Sequence, residues 1–296
     1  MVSSRTLIGL LIAAAAVGLL ANGCGPSGGG TAITVEGPVE LSRSFTEGEV
    51  LKYRLEVNTQ SGVKRTAYEQ TIYSQTELKT SNTFEKVTDE SVEMKMHFDY
   101  AVGSMTVSDE VVPDQSVASL RGKALLFTLT PEGEVNAWAG LSDEDYLQAG
   151  AGQMAMLLYD FFPPLPNEPV GVGSTWTTDY NVPDITTAVD RDFIGETTYT
   201  VLGFKERNEI PCVEIERVSS FEFEGRAEQA GEIWLMSGSG AVSGKMLLSI
   251  DAGRVIYGSS ETTLTLQGEG ASVASAAASN VVNMGIKSNL VIDLMK

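Results

Sequence analysis

The chain has 296 residues, and its 39 Asp and Glu outnumber its 20 Lys and Arg, which gives a formal net charge of −19 at pH 7. So acidic a protein repels polyanions, which argues against binding to nucleic acid and against electrostatic adhesion to anionic lipid. The length suits one large or two modest domains with ample material for a hydrophobic core.

The N-terminus has the features of an export signal. Arg5 precedes Thr6–Leu20, an aliphatic, Ala- and Gly-containing run of about 15 residues, which is shorter than a membrane-spanning helix. Small residues then lead directly to Cys24. This ending resembles the lipobox of bacterial lipoproteins, in which the cysteine is lipidated. The resemblance implies a signal peptide over 1–23 and an exported protein that Cys24 anchors to a bacterial membrane.

Two further features bear on this anchor. Gly25, rather than Asp, follows the cysteine, and by the same resemblance this favours the outer membrane, facing the periplasm, in a cell that has one. The stretch Gly25–Gly30 is rich in glycine, so we expect a flexible tether over 24–40. An ordinary secretory signal stays an alternative, because Ala21–Gly23 also suits the general signal peptidase.

Alternation of apolar and polar residues dominates the rest of the chain. Leu51–Asn58, Val92–Tyr100 and Ile286–Leu294 all show it. Residues two apart lie on the same face of a strand, so this pattern indicates antiparallel strands with one packed and one wet face. We count roughly a dozen such segments. Clusters typical of turns separate them, for example Gln60–Gly62 and Thr130–Gly133.

One segment has helical rather than alternating periodicity. Ser142 and the acidic residues 143–145 are typical of a helix N-cap and first turn. Apolar residues then recur at helical spacing as far as Phe161, and the prolines of Pro163–Pro166 end the pattern. The sequence therefore predicts a linking amphipathic helix and a Pro-rich turn over 142–166.

This helix separates two β-rich halves, 41–141 and 167–296. Gly122–Leu126 matches Gly244–Leu248 at four of five positions, and each motif is followed by a turn that contains glycine. Duplication explains these matches, although unrelated hairpins with similar turn chemistry would also produce them. We predict a mainly β fold of large curved antiparallel sheets, or half-open barrels, in two similar halves.

Short motifs near the linking segment resemble those of a known family. The strand openings at Glu47–Tyr53 and Val170–Trp176, together with Phe161–Pro166, resemble a family of uncharacterised bacterial lipoproteins. This resemblance implies export and a β fold, and it supplies no catalytic residues. In architecture alone, the chain also resembles the half-open barrels of lipoprotein-carrier and lipid-binding envelope proteins.

Few residues are suited to metal binding or nucleophilic catalysis. His97 is the sole histidine, and alternation places it on the polar face of its strand, which argues against a histidine triad or a multi-histidine metal site. Cys212 has no intrachain partner if Cys24 is acylated, and its strand-like surroundings indicate a buried structural thiol. We expect no metal, no cofactor and no catalytic residue.

Two motifs with catalytic associations lack the context that they require. Ser61–Lys64 matches the Ser-x-x-Lys pattern of penicillin-recognising enzymes, but the companion motifs are absent and we interpret it as a polar hairpin turn. The glycines of Gly238–Gly244 have the wrong spacing for a phosphate loop.

The leading hypothesis is a non-enzymatic binding or carrier-like module for a hydrophobic ligand. Thioethers and aromatic rings adapt to irregular ligands, and packed core is the alternative role for the same residues. The candidate pocket residues are Met94, Met96, Met154, Met156, Phe161, Phe162 and Trp176.

Two other hypotheses stay open. The first is an envelope scaffold that contacts another protein. The second is a hydrolase that uses paired carboxylates, because glutamates two apart on one strand face lie about 7 Å apart, a separation within the range of glycosidases. The candidate pairs are Glu214 with Glu216 and Glu222 with Glu224.

Overall fold

The structure is a computed structural model that describes residues 30–65, 68–140, 160–180, 189–229, 232–272 and 280–295. These residues form one large curved sheet of 13 antiparallel strands, which confirms the predicted mainly β fold. The strands are β1 (Thr31–Ala32), β2 (Val50–Arg65), β3 (Tyr68–Val87), β4 (Val92–Val107), β5 (Glu110–Pro113), β6 (Ala124–Leu129), β7 (Val135–Ala139), β8 (Thr175–Asp179), β9 (Val189–Arg207), β10 (Ile210–Gln229), β11 (Glu232–Ser249), β12 (Val255–Ser272) and β13 (Asn280–Leu294). One short helix, α1 (Gln115–Ala118), lies between β5 and β6.

The two predicted halves share this single sheet. The strand order is β1-β9-β10-β11-β12-β13-β2-β3-β4-β6-β7, with β5 on β4 and β8 on β9. The last strand, β13, pairs with the first long strand, β2, from Asn283 opposite Lys64 to Leu294 opposite Tyr53. The C-terminal strand therefore lies in the interior of the sheet and joins the two halves.

Burial follows the alternation that the sequence predicts. Along β2, Tyr53 and Leu55 are buried, whereas Lys52 and Arg54 are exposed. We call the buried side of the sheet the inner face and the polar side the outer face. Apolar side chains from both halves meet in one large core cluster on the inner face, and this burial is the main driving force for the fold.

The predicted turn at Gln60–Gly62 is wrong, because these residues lie inside β2. The β2–β3 ladder continues as far as Arg65, and β13 pairs with β2 on its other side through the same stretch. Ser61 is buried on the inner face. The Ser61–Lys64 motif is therefore part of a strand and not a hairpin turn. The other predicted turn, Thr130–Gly133, connects β6 to β7 as expected.

The alternation did not predict helix α1. The side chain of Asp114 caps it by accepting a hydrogen bond of 3.0 Å from the backbone nitrogen of Ser116. Its Val117 is buried against β4, where a Cβ on Gly103 would lie 2.9 Å from the Cβ of Val117. Gly103 therefore permits the close approach of this helix to the sheet.

Several predicted segments fall partly outside the described residues. Cys24 and the signal peptide over 1–23 lie outside them, and so does most of the helix predicted within 142–166, of which Asp160 and Phe161 are helical. Within the predicted tether over 24–40, β1 pairs with β9 and Val39 pairs with Val170. The other predicted boundaries stay predictions. In the part of the chain that the structure describes, no helix is long and apolar enough to cross a bilayer.

Candidate functional site

A row of hydroxyl side chains crosses the inner face from strand to strand. Its members are register neighbours from β3 through β2, β13, β12, β10, β9 and β8, with Val242 of β11 as the single apolar interruption. We call it the hydroxyl row, and it consists of Ser74, Thr59, Ser288, Thr262, Ser219, Thr197 and Thr178.

Hydrogen bonding within the hydroxyl row is incomplete. Thr59 and Ser288 share a hydrogen bond of 2.8 Å, and Thr197 and Ser219 share one of 2.9 Å. Thr262 is only 1 % exposed, and its Oγ1 is buried without a hydrogen-bond partner in the described structure. An unpartnered buried hydroxyl has lost its hydration without compensation, so Thr262 lowers the stability of the fold.

A buried ion pair lies beside the hydroxyl row. Arg217, two residues before Ser219 on the same face of β10, binds the carboxylate of Asp160. The side chains are 2 % and 6 % exposed. Burial raises the pKa of Asp160, although the neighbouring Arg217 acts in the opposite direction. The pair ties Asp160, which directly precedes Phe161, to β10 in the second half.

Glycines of β11 make room for aromatic rings on the inner face. A Cβ at Gly240 would collide with the ring of Phe221, and one at Gly238 with the ring of Phe223. Tyr180 stacks on Phe221 with ring centroids 4.4 Å apart and planes at 4°. These glycines lie inside β11 and allow aromatic rings to pack closely on the strand. They are therefore part of a strand and not of a phosphate-binding loop.

A pocket lies where β2 begins and β3 ends, between the segment 41–45, the β11–β12 turn and residues 161–162. Phe161 contacts Tyr53 edge to face with centroids 4.7 Å apart, and Phe45 contacts Phe84 at 5.0 Å. We call it the aromatic pocket, and its lining residues are Arg43, Ser44, Phe45, Leu51, Tyr53, Asn82, Phe84, Phe161, Phe162, Ala252, Gly253 and Arg254.

Arg43 is a cation of the aromatic pocket whose hydrogen bonding is incomplete. Its Nη2 donates a hydrogen bond of 2.6 Å to the carbonyl of Pro163, and its Cζ lies 5.4 Å from the ring centroid of Phe162. Its Nε and Nη1 are buried, and neither has a hydrogen-bond partner among the described residues. Burial lowers the pKa of Arg43 to about 10, because a charged guanidinium is costly away from water.

The other polar groups of the aromatic pocket are partly paired. Arg254 Nη1 binds Glu49 Oε1 at 2.6 Å, and the Tyr53 hydroxyl donates a hydrogen bond of 3.0 Å to the carbonyl of Val255. Burial raises the pKa of Tyr53. Asn82 Oδ1 is buried without a partner in the part of the chain that the structure describes. The pocket thus combines aromatic walls with polar atoms that can accept or donate further hydrogen bonds.

The predicted pocket residues occupy different places. Phe161 and Phe162 line the aromatic pocket. Met94 pairs in register with the lining residue Phe84 but is itself only 1 % exposed, and Met96 is equally buried in the core. Met154 and Met156 lie outside the described residues. Neither Met94 nor Met96 is among the lining residues of the pocket.

Trp176 also lies outside the lining of the aromatic pocket. Its ring stacks on Tyr199 with centroids 5.0 Å apart, and its Nε1 donates a hydrogen bond of 3.2 Å to the carbonyl of Pro164. This contact holds the Pro-rich turn that follows Phe162 against β8. Trp176 is therefore a positioning residue for one wall of the pocket.

Sequence reasoning missed Arg43, Asn82 and Phe84. No motif surrounds Arg43, and its environment comes from segments that are far apart in the chain. The available signal was the lone cation between Leu41 and Phe45, in a stretch that otherwise alternates between apolar and polar residues.

The other residues with chemical potential lie away from the aromatic pocket. His97, on the outer face, binds Asp99 at 2.8 Å, as expected for the polar side of its strand. Cys212 is buried beside Leu247 and Ile256, and burial raises its pKa to about 11, which agrees with a structural thiol. Within the described ranges, no group of three or more His, Cys, Asp or Glu is placed to hold a metal ion.

The paired glutamates do not face the aromatic pocket. Glu214 binds Lys205 at 2.7 Å. Glu222 and Glu224 are exposed on the outer face, opposite the buried rings of Phe221 and Phe223. Neither pair is among the lining residues of the pocket.

Comparisons with known proteins bear on the fold. No protein-family model and no curated protein matches this sequence, so the resemblance to a lipoprotein family stays a prediction. Among solved structures, the chain is similar to lipovitellin, in a structure that concerns lipid–protein interactions, with 14 % identity and a TM-score of 0.50. The match covers 86 % of this chain and 26 % of the lipovitellin chain, so this protein spans about a quarter of that length.

A second similarity is much weaker. An outer membrane channel from Pseudomonas putida F1 matches with 6 % identity and a TM-score of 0.26, over 86 % of this chain and 98 % of the channel. A TM-score this low does not establish a shared fold. The likeness to lipovitellin shows a shared fold.

Proposed function

We propose that this protein is an exported envelope protein, anchored by lipid at Cys24, that binds a hydrophobic ligand without catalysing a reaction. The observation that carries the proposal is the aromatic pocket, whose rings belong to or pack against the large apolar core cluster of the inner face. Binding sites for small apolar molecules are concave, mostly apolar and lined by a few placed polar groups, and this pocket has such a lining. Its free volume is about 10 Å³, room for about one water molecule, so a ligand enters only when the side chains of its wall move apart.

The fold supports the same proposal. A single curved sheet that buries one face can accommodate an apolar molecule where the packing over that face is incomplete. Lipovitellin, which shares this fold, engages in lipid–protein interactions. The outer face is mostly polar and carries acidic residues such as Glu222 and Glu224, with single exposed apolar side chains such as Ile194 and Val218. We therefore expect an apolar ligand to bind on the inner face.

A substitution that fills the aromatic pocket tests the proposal. Ala252 lines the pocket from the β11–β12 turn, whereas its neighbour Asp251 is exposed outside the lining. The full chain is incubated with a photoactivatable long-chain lipid probe, and the labelled peptides are identified by mass spectrometry. We expect labelling at the pocket that Ala252→Trp abolishes and the matched control Asp251→Trp retains. Labelling that is absent, or that is confined to the outer face, would overturn the proposal.

A further inference from the structure

We infer that the ligand carries an anionic head group, a carboxylate or a phosphate, that pairs with Arg43 in the aromatic pocket. This inference rests on the proposed function and adds to it the chemical class of the ligand. The buried Nε and Nη1 of Arg43 have no hydrogen-bond partner in the described chain, and the anionic group would supply one.

A buried guanidinium without a counter-charge is rare because its desolvation is not compensated. Proteins pair such a group, hydrate it or use it to bind a ligand. Arg43 contacts a carbonyl oxygen and the ring of Phe162, and its side chain packs against Gly133 of the β6–β7 turn, but none of these neutralises its charge. An anion is the partner that this arrangement lacks. Because Nε and Nη1 point to different sides of the guanidinium, a carboxylate or phosphate can accept from one of them together with the second N–H of Nη2.

The charge balance of the pocket excludes the opposite ligand class. The charge of Arg254 is neutralised by Glu49, so Arg43 leaves the pocket with one net positive charge. The whole chain has a net charge of −19, and anions are therefore repelled from most of its surface. A cationic head group would be repelled by Arg43 and attracted to the acidic surface instead.

The walls of the pocket require an apolar part in the same ligand. Phe45, Phe84 and Phe161 supply aromatic surface, and Leu51 adds an aliphatic side chain. Phe84 and Phe161 are each only 2 % exposed, so an apolar chain reaches these rings only when the pocket opens. An acyl or alkyl chain that ends in a carboxylate or phosphate satisfies both the rings and the guanidinium.

Head-group preference provides the test. Three photoactivatable probes of equal chain length, a fatty acid, a monoalkyl phosphate and a fatty alcohol, are each added to the full chain in a non-ionic detergent. We expect at least about tenfold more labelling of the pocket by the two anionic probes than by the alcohol. Hydrogen bonds between two charged groups are stronger than those between a charged group and a neutral hydroxyl. A difference between the acid and the phosphate would then identify the head group.

Variants of Arg43 locate the source of this preference. Arg43→Met should reduce labelling by the anionic probes to the level of the alcohol, and Arg43→Lys should retain part of the preference. The matched control is Arg54→Met, because Arg54 is an exposed arginine that pairs with Glu56 and Glu77 on the outer face of β2. Circular dichroism verifies that each variant is folded.

The outcomes separate the inference from the proposed function. Equal labelling of the wild-type pocket by the acid, the phosphate and the alcohol would overturn the inference and leave hydrophobic binding intact. A folded Arg43→Met variant that keeps the anion preference would also overturn it. If no probe labels the pocket, the proposed function fails as well. The wild-type comparison needs no variant, so the inference is testable even if Arg43→Met does not fold.

Discussion

Thr59 and Ser288 share a hydrogen bond of 2.8 Å although they are 229 positions apart in the chain. This buried bond joins β2 to β13, where the two halves meet. We expect Ser288→Ala to lower the free energy of unfolding by about 1–3 kcal/mol, because the Thr59 hydroxyl is then buried without a partner. Urea unfolding followed by tryptophan fluorescence measures this loss.

The double substitution isolates the hydrogen bond from its hydroxyls. Replacing both partners, as in Thr59→Val with Ser288→Ala, removes the orphaned group and should restore most of the stability. The control is Thr263→Val on the outer face of β12, where we expect a change within about 0.5 kcal/mol. A double variant less stable than Ser288→Ala alone would contradict this account of the hydroxyl row.

Thr262 of the same row should respond in the opposite direction. Its buried Oγ1 has no partner in the described structure, so the hydroxyl contributes a desolvation cost and no hydrogen bond. Thr262→Val keeps the shape of the side chain, and we expect it to raise the free energy of unfolding by about 1 kcal/mol. The urea midpoint should rise with an unchanged slope, and a fall would mean that Thr262 has a partner such as water or ligand.

Local pattern was enough to predict the faces of the strands. Apolar residues at alternate positions of Leu51–Asn58 became the buried side of β2, because a half-buried strand must separate its side chains in this way. The composition of Gln60–Gly62 is typical of turns, so the sequence predicts a turn where the structure has a strand. Its strand conformation depends on pairing with β13, and no local pattern encodes a partner more than 200 positions away.

The candidate site was harder to predict than the fold. Phe161 and Phe162 were found because aromatic bulk next to a Pro-rich segment is visible in the sequence. Arg43 was missed since its neighbours come from the turn before β12, the end of β3 and residues 161–163. Whether a charged side chain has a counter-charge depends on the residues that pack around it. The absence of a counter-charge at Arg43 is therefore visible only in the folded chain.

Cys212 should make the stability depend on alkaline pH. Burial raises its pKa from 9.0 to about 11, so on raising the pH the unfolded chain loses the thiol proton first. The stability that this group contributes is present below pH about 9 and is lost between pH 9 and 11. We expect Cys212→Ala to lose less stability than the wild type over this interval in urea titrations.

The reactivity of the Cys212 thiol provides a second test of its burial. At pH 8 we expect negligible alkylation of Cys212 by iodoacetamide in the folded protein and rapid alkylation in urea, because the thiolate is the reactive species. Fast alkylation of the native protein, or an identical pH profile for Cys212→Ala, would contradict a buried structural thiol.

Cys24 should determine both processing and anchoring. If it is the lipidated residue, Cys24→Ala abolishes incorporation of a labelled fatty acid and leaves the uncut precursor. An ordinary signal peptide would still be processed in that variant. Gel mobility and radiolabelled palmitate distinguish these outcomes, and cleaved, unlabelled wild-type protein would contradict the anchor.

The buried pair of Asp160 and Arg217 should be sensitive to the loss of either partner. Asp160→Asn keeps the shape of the side chain but removes the charge that compensates the guanidinium, which is 2 % exposed. We expect a loss of about 3–5 kcal/mol in the free energy of unfolding, because a buried charge is left without its ion-pair partner. Replacing both residues, Asp160→Leu with Arg217→Met, should cost less than the two single changes together, because neither charge is then left buried without its partner.

The matched exposed pair is Lys86 and Glu93 at 3.4 Å, where Glu93→Gln should lower the free energy of unfolding by about 1 kcal/mol or less. Equal costs at the buried and exposed pairs would mean that water reaches Asp160 and that the inner face is open beside the hydroxyl row.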